Sequence, residues 1–178
     1  MRITHLGHAA VLAETDGARI LIDPGNVSDA WHSLTDLDAV LVTHQHPDHL
    51  DPQNLPALVK ANPSANVLLE PSLLDLISSG TLPSLGGNAA ALQPGEQVSL
   101  GDVLVTAVGG RHAIIHRDIP GIGNVGYVLQ SEGQPTLFHP GDALDTVPDG
   151  VDILAIPAYG PWAAIKETID FVRAVGAL

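Results

Sequence analysis

The sequence predicts an α/β protein of the α+β type, in which two mixed β-sheets pack face to face between outer layers of helices. Three observations lead to this prediction. Both halves of the 178-residue chain contain several short strand patterns, each half also contains helical patterns, and no linker or low-complexity run separates the halves. We therefore expect a single domain over residues 1–178, a length that can bury a sizeable core.

The elements of the first half are predicted from turn residues and apolar runs. Asp16-Gly17 is a strong hairpin signal between two β-rich segments. The predicted strands are Arg2–Leu6, Ala9–Glu14, Arg19–Asp23, Leu37–Thr43, Val67–Leu69 and Ala89–Leu92. The predicted helices are Pro52–Ala61, with Asp51 as its N-cap and Pro52 at its first position, and Pro71–Ser79, which ends at Gly80.

The second half repeats this arrangement. Glycine turns at Gly101-Asp102 and Glu132-Gly133 separate strand patterns. The predicted strands are Gln97–Leu100, Val103–Val108, Val125–Gln130, Thr136–Phe138 and Val151–Ile156, the last a continuous apolar run typical of a fully buried strand. Residues Ala163–Val175 predict a terminal amphipathic helix, because their apolar side chains recur at close to helical spacing, at Ile165, Ile169, Val172 and Val175.

The segment Thr43–His49 (THQHPDH) carries the strongest functional signal. It places His44, His46, Asp48 and His49 within six residues. His44 and His46 lie two apart, so on an extended segment both imidazoles point to the same face. Pro47 turns the chain, which lets Asp48 and His49 approach that region from another side. Imidazoles clustered with a carboxylate predict a site for zinc or another borderline divalent cation rather than a polar loop that is merely rich in histidine.

Composition narrows the classes of partner. Twenty acidic residues against seven basic ones give a net charge of −13, which disfavours a nucleic-acid partner, because phosphates require clustered lysine or arginine. The chain contains no cysteine, so disulfides and thiolate ligands are excluded. No secretion signal is evident and no apolar run reaches the roughly 18 residues of a membrane span. We therefore expect a cytoplasmic protein without a membrane partner, and the oligomeric state is left open.

The metal motif and four further segments resemble the metallo-β-lactamase superfamily of metal-dependent hydrolases. The matching segments are the strand and turn Ile20–Gly25, Gly110-Arg111-His112, Pro140-Gly141-Asp142 and the opening Thr4–Ala9. The opening is similar to the first hairpin of the branch that contains ascorbate-phosphate-lactonase-like proteins. The resemblance implies an αββα sandwich, in agreement with the fold predicted above.

The resemblance also implies a ligand set. His44, His46 and His112 would hold a first metal, Asp48 and His49 would belong to a second, and Asp142 would bridge both. Taken alone, His112 could be structural and Asp142 a turn former. Asp23 is as consistent with a turn residue that supports a ligand as with a catalytic residue. His5, His8 and His139 are candidates for hydrogen-bonding partners of the ligands. One or two ions per chain are expected, with zinc favoured and manganese, iron or nickel left open.

Two departures from the superfamily pattern bear on this expectation. Leu50-Asp51 follows the motif where glycines are common, which favours the lactonase-like branch. Superfamily members usually place a further His after the last helix, whereas no His follows His139 here. We expect that the chain lacks a C-terminal segment after Leu178; otherwise the second site relies on water, on another His or on a neighbouring subunit. The diiron oxidoreductase branch carries Glu where His46 stands, so His46 favours hydrolysis.

We therefore expect a hydrolase that uses a metal-bound hydroxide on a small ester, lactone or phosphoester. Asp48 is the predicted catalytic residue, which would orient the nucleophile and accept its proton. Pocket loops are expected at residues 26–36, 111–124 and 157–162, with Trp31, Trp162 and His116 as predicted substrate contacts. The alternatives are a phosphodiesterase on RNA or a cyclic nucleotide, and a metal-binding protein without turnover.

Overall fold

Two β-sheets form the centre of the molecule. The computed structural model describes residues 1–86 and 88–177, so the expected break after Leu178 lies outside the described residues. The first sheet has the strand order β1-β2-β3-β4-β5-β6. Its strands are β1 (Arg2–Gly7), β2 (Ala10–Glu14), β3 (Arg19–Ile22), β4 (Ala39–Val42), β5 (Asn66–Leu69) and β6 (Ala89–Ala91). The first three strands are antiparallel, and β3 to β6 are parallel.

The second sheet has the order β11-β10-β9-β8-β7. Its strands are β7 (Gln97–Leu100), β8 (Val103–Gly109), β9 (Val125–Ser131), β10 (Leu137–His139) and β11 (Ile153–Leu154). Only the pair β10 and β11 is parallel, and the other pairs are antiparallel. Both sheets are therefore mixed, as predicted.

Aliphatic side chains from the inner faces of both sheets form one core. Ile20 and Leu41 of the first sheet pack in the same cluster as Val105 and Leu129 of the second, and each is at most 1% exposed. Tyr127 lies in this layer at 0% exposure, and its hydroxyl donates to the backbone oxygen of Val42 at 2.9 Å. That hydrogen bond joins the two sheets, because β9 supplies the donor and β4 the acceptor.

Among the residues that the structure describes, three helices cover the outer faces. Helices α1 (Leu55–Ala61) and α2 (Ser72–Ser78) bury Leu55, Leu58 and Leu73 against the first sheet. Helix α3 (Ile165–Val175) packs Phe171 and Val175 against Phe138 of the second sheet. The resulting layers confirm the predicted fold class.

The start of α1 differs from the prediction. The helix begins at Leu55 with Asn54 at the N-cap position, so the assignment of Asp51 as the N-cap of a helix starting at Pro52 is wrong. The Asp51 carboxylate instead accepts hydrogen bonds from the backbone amides of Gln53 and Asn54. These bonds stabilise a turn before the helix, which is a common alternative use of an aspartate.

The predicted C-terminal elements also need correction. The strand expected over Val151–Ile156 pairs only as Ile153–Leu154 at the edge of its sheet, where both side chains are partly exposed rather than fully buried. The apolar stripe chosen for α3 is correct at Val175 but wrong at its other positions. Ile165 and Ile169 are 76% and 45% exposed, and the buried face is Thr168, Phe171 and Val175. The helix carries apolar residues on two faces, so periodicity alone identified the wrong one.

Within residues 1–86 and 88–177, no helix is long and apolar enough to cross a membrane.

Candidate metal centre

The metal-binding motif lies directly after β4, at the edge of the molecule where strands of both sheets end. His44, His46 and His49 follow β4, Asp23 follows β3, and His112 follows β8 in the other sheet. Asp142 follows β10 by three residues. Loops that leave neighbouring strand ends come together, so residues separated by up to 119 positions, from Asp23 to Asp142, meet in one place.

The first group of potential ligands comprises His44, His46, His112 and Asp142, each with one ligand atom within 4.8 Å of the others. His44 Nε2 and His46 Nδ1 are 3.0 Å apart. The ring centroids of His44 and His112 are separated by 4.8 Å, as are those of His46 and His112. The sequence-predicted residues of the first site are therefore brought together by the fold.

The second group comprises His8, Asp48 and His49. Asp48 Oδ2 lies 2.9 Å from His8 Nε2 and 3.9 Å from His49 Nε2. Asp48 and His49 were predicted members of a second site. His8 was predicted only as a supporting residue, and the structure places it among the potential ligands.

Asp142 lies between the two groups. Its Oδ1 is 3.3 Å from His49 Nε2, and its Oδ2 is 3.4 Å from His112 Nε2. One carboxylate oxygen thus faces each group, the arrangement needed by a bridging ligand. The Trp162 indole donates a hydrogen bond to Oδ2 at 2.9 Å, which holds the carboxylate in this orientation.

Hydrogen bonds on the far side of three rings, those of His44, His49 and His112, fix which nitrogen of each ring faces the centre. His49 Nδ1 lies 2.7 Å from Asp23 Oδ2, and His44 Nδ1 lies 3.0 Å from the Thr43 hydroxyl. His112 Nδ1 is 2.6 Å from the backbone oxygen of Ala113. With Nδ1 as the donor in each case, Nε2 is left as the potential ligand atom, a pattern typical of metal-binding histidines.

Burial and charge set the protonation of these groups. Burial lowers the pKa of His44 well below its ordinary value and also lowers that of His46, so both rings favour the neutral form that coordinates metals. Burial opposes the charged form of His49, but the carboxylates of Asp23 and Asp142 outweigh it and raise its pKa to about 10. Burial likewise disfavours ionised Asp142, yet His112 and His49 lower its pKa below the ordinary value. The carboxylates of Asp23 and Asp142 therefore favour a positive charge at the centre, while His44 and His46 favour neutral rings.

The donor set fits a divalent cation. His112 Nε2 is buried and has no hydrogen-bond partner among the described residues, an arrangement that is costly unless the atom has another partner. It points toward the nitrogens of His44 and His46 and the oxygens of Asp142. Nitrogen and carboxylate ligands suit zinc and the other borderline divalent metals. Residues of both groups would hold such ions.

The three predicted substrate contacts have different outcomes. Trp31 is 0% exposed and packs in the outer core of the first sheet, with its indole donating to the Gly25 backbone oxygen, so its assignment to a pocket wall is wrong. His116 is exposed and lies beside Asp118, outside both groups of potential ligands. Trp162 lies beside the centre through its contacts with Asp142 and His112. Its contact with a substrate stays a prediction.

A cleft of about 340 Å³ opens beside the centre. Its lining combines the potential ligands Asp48, His49 and Asp142 with an apolar wall of Val11, Ala155, Ile156 and Pro157. The loop containing Tyr159 and Pro161 forms its rim, as predicted for residues 157–162. His5 and His8 from the first hairpin also line it, and that hairpin was absent from the predicted pocket loops. The sequence signals for it were the histidines on either side of Gly7 and the resemblance of Thr4–Ala9 to the first hairpin of the lactonase-like branch.

Comparison with known proteins is consistent with this geometry. A family model described as the beta-lactamase superfamily domain matches residues 2–177. Protein Rv0786c of Mycobacterium tuberculosis is 43% identical over 176 residues, which cover 98% of this chain and 79% of that protein. A UPF0173 metal-dependent hydrolase of an Anaeromyxobacter species is 33% identical over 159 residues, covering 79% of this chain and 55% of that protein.

A solved structure shows the same fold. Igni18, a metallo hydrolase from the archaeon Ignicoccus hospitalis, matches with a TM-score of 0.70 at 17% identity, over 97% of this chain and 77% of that one. At this identity the likeness concerns the fold alone. Together, the family match, the named relatives and the His/Asp cluster confirm the resemblance seen in the sequence: the chain belongs to the metallo-β-lactamase superfamily and is a metal-dependent hydrolase.

Proposed function

We propose that this hydrolase acts on a small, uncharged carboxylic ester or lactone. The observation that carries the proposal is the cleft beside the His/Asp centre, which pairs the potential metal ligands with an apolar wall. A carboxylic ester or lactone has an electrophilic carbonyl that suits the potential metal ligands and a hydrocarbon part that suits the apolar residues. The size of the cleft, about 340 Å³, fits a small molecule.

Charge argues against a phosphorylated substrate. Among the described residues that line the cleft, none is lysine or arginine. A phosphate group would meet Asp48 and Asp142 with no lysine or arginine of the cleft lining to balance them, and the chain carries a net charge of −13. The phosphoester alternative and the phosphodiesterase alternative, on RNA or a cyclic nucleotide, are therefore less well supported than the ester or lactone.

The protein groups have separable tasks in this proposal. A divalent cation held by the His/Asp centre would lower the pKa of water toward about 7 and polarise the substrate carbonyl. The Asp48 carboxylate, 38% exposed at the edge of the cleft, accepts a proton from the attacking water. The hydrogen bond from Trp162 fixes the orientation of the Asp142 carboxylate between the two groups of potential ligands. Ala155, Ile156 and Pro157 bind the hydrocarbon part of the substrate and exclude water.

Three finer assignments belong to this proposal. The His-rich donor set and the lack of cysteine favour zinc, with manganese, iron or nickel as alternatives. The resemblance of the opening Thr4–Ala9 favours a place in the lactonase-like branch, and His5 and His8 of that hairpin line the cleft. A cytoplasmic location and a small-molecule partner remain expectations from the sequence.

The experiment measures metal content and turnover together. Purified protein is analysed for bound metals and assayed with an aryl ester, a γ-lactone and an aryl phosphodiester. We expect bound divalent metal, and turnover of the ester or lactone exceeding that of the phosphodiester. The variant His44→Ala/His46→Ala should lose the metal and the turnover, whereas His32→Ala, on an exposed residue outside both groups, should retain them.

Faster turnover of the phosphodiester would overturn the proposed substrate class. Bound metal with no turnover of any of the three compounds would favour the metal-binding alternative. Unchanged metal content in His44→Ala/His46→Ala would show that the centre is misassigned.

A further inference from the structure

His8 lies 36 residues before the metal-binding motif, yet its imidazole reaches the centre. Its Nε2 lies 2.9 Å from Asp48 Oδ2, and its ring is edge-on to that of His49 at a centroid distance of 5.8 Å. The side chain is 36% exposed and lines the cleft. The contact joins the turn between β1 and β2 to the motif loop after β4.

The spacing of the neighbouring atoms suits a shared cation. Ligands about 2.0–2.1 Å from a tetrahedral metal ion lie roughly 3.3 Å from one another. In the second group the separations are 2.9 Å between His8 and Asp48, 3.9 Å between Asp48 and His49, and 3.3 Å between His49 and Asp142 Oδ1. These values scatter about that edge length, and the 3.9 Å separation of Asp48 and His49 is too long for a direct hydrogen bond.

The backbone at His8 gives independent support. His8 has φ of 50°, in the left-handed region that non-glycine residues rarely occupy, and it follows Gly7 at φ of 109°. The pairing register of β1 and β2 shifts at the same place. His5 Nε2 lies 2.7 Å from the His8 backbone oxygen and so braces the turn. Unusual backbone conformations that are held in place occur preferentially at functional sites.

We infer that His8 is a ligand of the second metal ion, together with Asp48, His49 and the bridging Asp142. The second site then has two imidazoles, that of His8 from the N-terminal hairpin and that of His49 from the motif. The inference rests on the proposed function in one respect, since it requires that the His/Asp centre binds divalent metal.

The test uses His8→Asn. Asparagine tolerates the left-handed backbone conformation, so the turn is retained while the imidazole is removed. Zinc binding to metal-stripped protein is followed by calorimetry, and cobalt-substituted protein is examined by visible absorption. We expect wild-type protein to bind two equivalents, and His8→Asn to bind the first unchanged and the second at least about tenfold more weakly, with an altered cobalt spectrum. His32→Asn, which removes an exposed imidazole elsewhere, should match wild type.

A second variant separates ligand loss from damage to the turn. His8→Gly relieves the left-handed conformation, and free imidazole should restore the second equivalent and the cobalt spectrum if the ring is a ligand. Two equivalents bound by His8→Asn with wild-type affinity, or weakened binding that imidazole does not restore in His8→Gly, would overturn the inference. Wild-type protein that binds no metal would instead overturn the proposed function, so the two failures are distinguishable.

Discussion

Replacing Asp23 with asparagine tests how the buried network supports the centre. Asp23 is 0% exposed and accepts three hydrogen bonds, from the Thr43 amide at 2.8 Å, the Thr43 hydroxyl at 2.7 Å and His49 Nδ1 at 2.7 Å. Asparagine keeps the shape but has one acceptor oxygen, and its amide nitrogen is a donor that would face another donor. The change therefore removes one or two charge-assisted hydrogen bonds and leaves a buried group without a partner.

The expected loss is large for an isosteric change. Hydrogen bonds to charged groups contribute about 1.5–3 kcal/mol each, so we expect metal-stripped Asp23→Asn to lose about 3–5 kcal/mol of unfolding free energy. For a domain of this size the urea m-value is about 2–3 kcal/mol/M, so the unfolding midpoint should fall by about 1–2 M. Metal affinity should fall by about 10–100-fold, because Asp23 orients His49.

The pH dependence adds a check on the mechanism. The folded protein raises the pKa of His49 from its ordinary 6.5 to about 10, with Asp23 as the leading stabiliser of the charged ring against burial. A raised pKa contributes stability that is fully present below the unfolded value and is lost as the pH rises through the folded one. The difference between wild type and Asp23→Asn should therefore be largest below about pH 6.5 and should decrease toward about pH 10.

The control is Asp145→Asn, which makes the same chemical change at an exposed position. Its effect should stay within about 0.5 kcal/mol. If Asp23→Asn shifted the urea midpoint no further than Asp145→Asn, the proposed role of the network in positioning His49 would be refuted.

Three further predictions follow from particular side chains. Asp48→Asn should lower turnover by about 10²–10⁴-fold, since the proton acceptor is lost; full activity in a steady-state assay would remove Asp48 from the mechanism. Trp31→Phe should lower the unfolding free energy by about 2–3 kcal/mol without changing KM, because the indole is buried in the core; a raised KM with unchanged stability would reinstate it as a substrate contact. Glu14→Gln should cost about 0.5–1 kcal/mol at neutral pH, because the carboxylate pairs with Arg2 and Arg19. Burial opposes ionisation of Glu14, but the guanidinium groups outweigh it and lower its pKa, so this cost should vanish in acid titrations as the pH falls below the ordinary value of 4.5, and persistence in acid would contradict the ion-pair explanation.

Local patterns in the sequence determined the elements and most of the centre. The alternating and apolar runs located every strand to within two residues at each end, although β11 is only two residues long where six were predicted. The motif from His44 to His49 carried its ligand types at the spacing expected of a metal site. These features could be predicted because each depends on residues that are close along the chain. The strands follow from the alternation of side chains, and the approach of Asp48 and His49 follows from the turn at Pro47. The resemblance to a known superfamily added His112 and Asp142, which have no local signal of their own.

Only the tertiary structure decided which distant residues complete the centre and which face of an element is buried. His8 joins Asp48 because a hairpin turn in the left-handed conformation meets the loop after β4, and the approach depends on how two strand ends pack. Trp31 enters the core rather than the cleft, and α3 buries Phe171 rather than Ile165, because packing against a neighbouring layer selects between two apolar surfaces. Contacts across 40 or more residues follow from the packing of sheets and helices, which short-range periodicity does not specify.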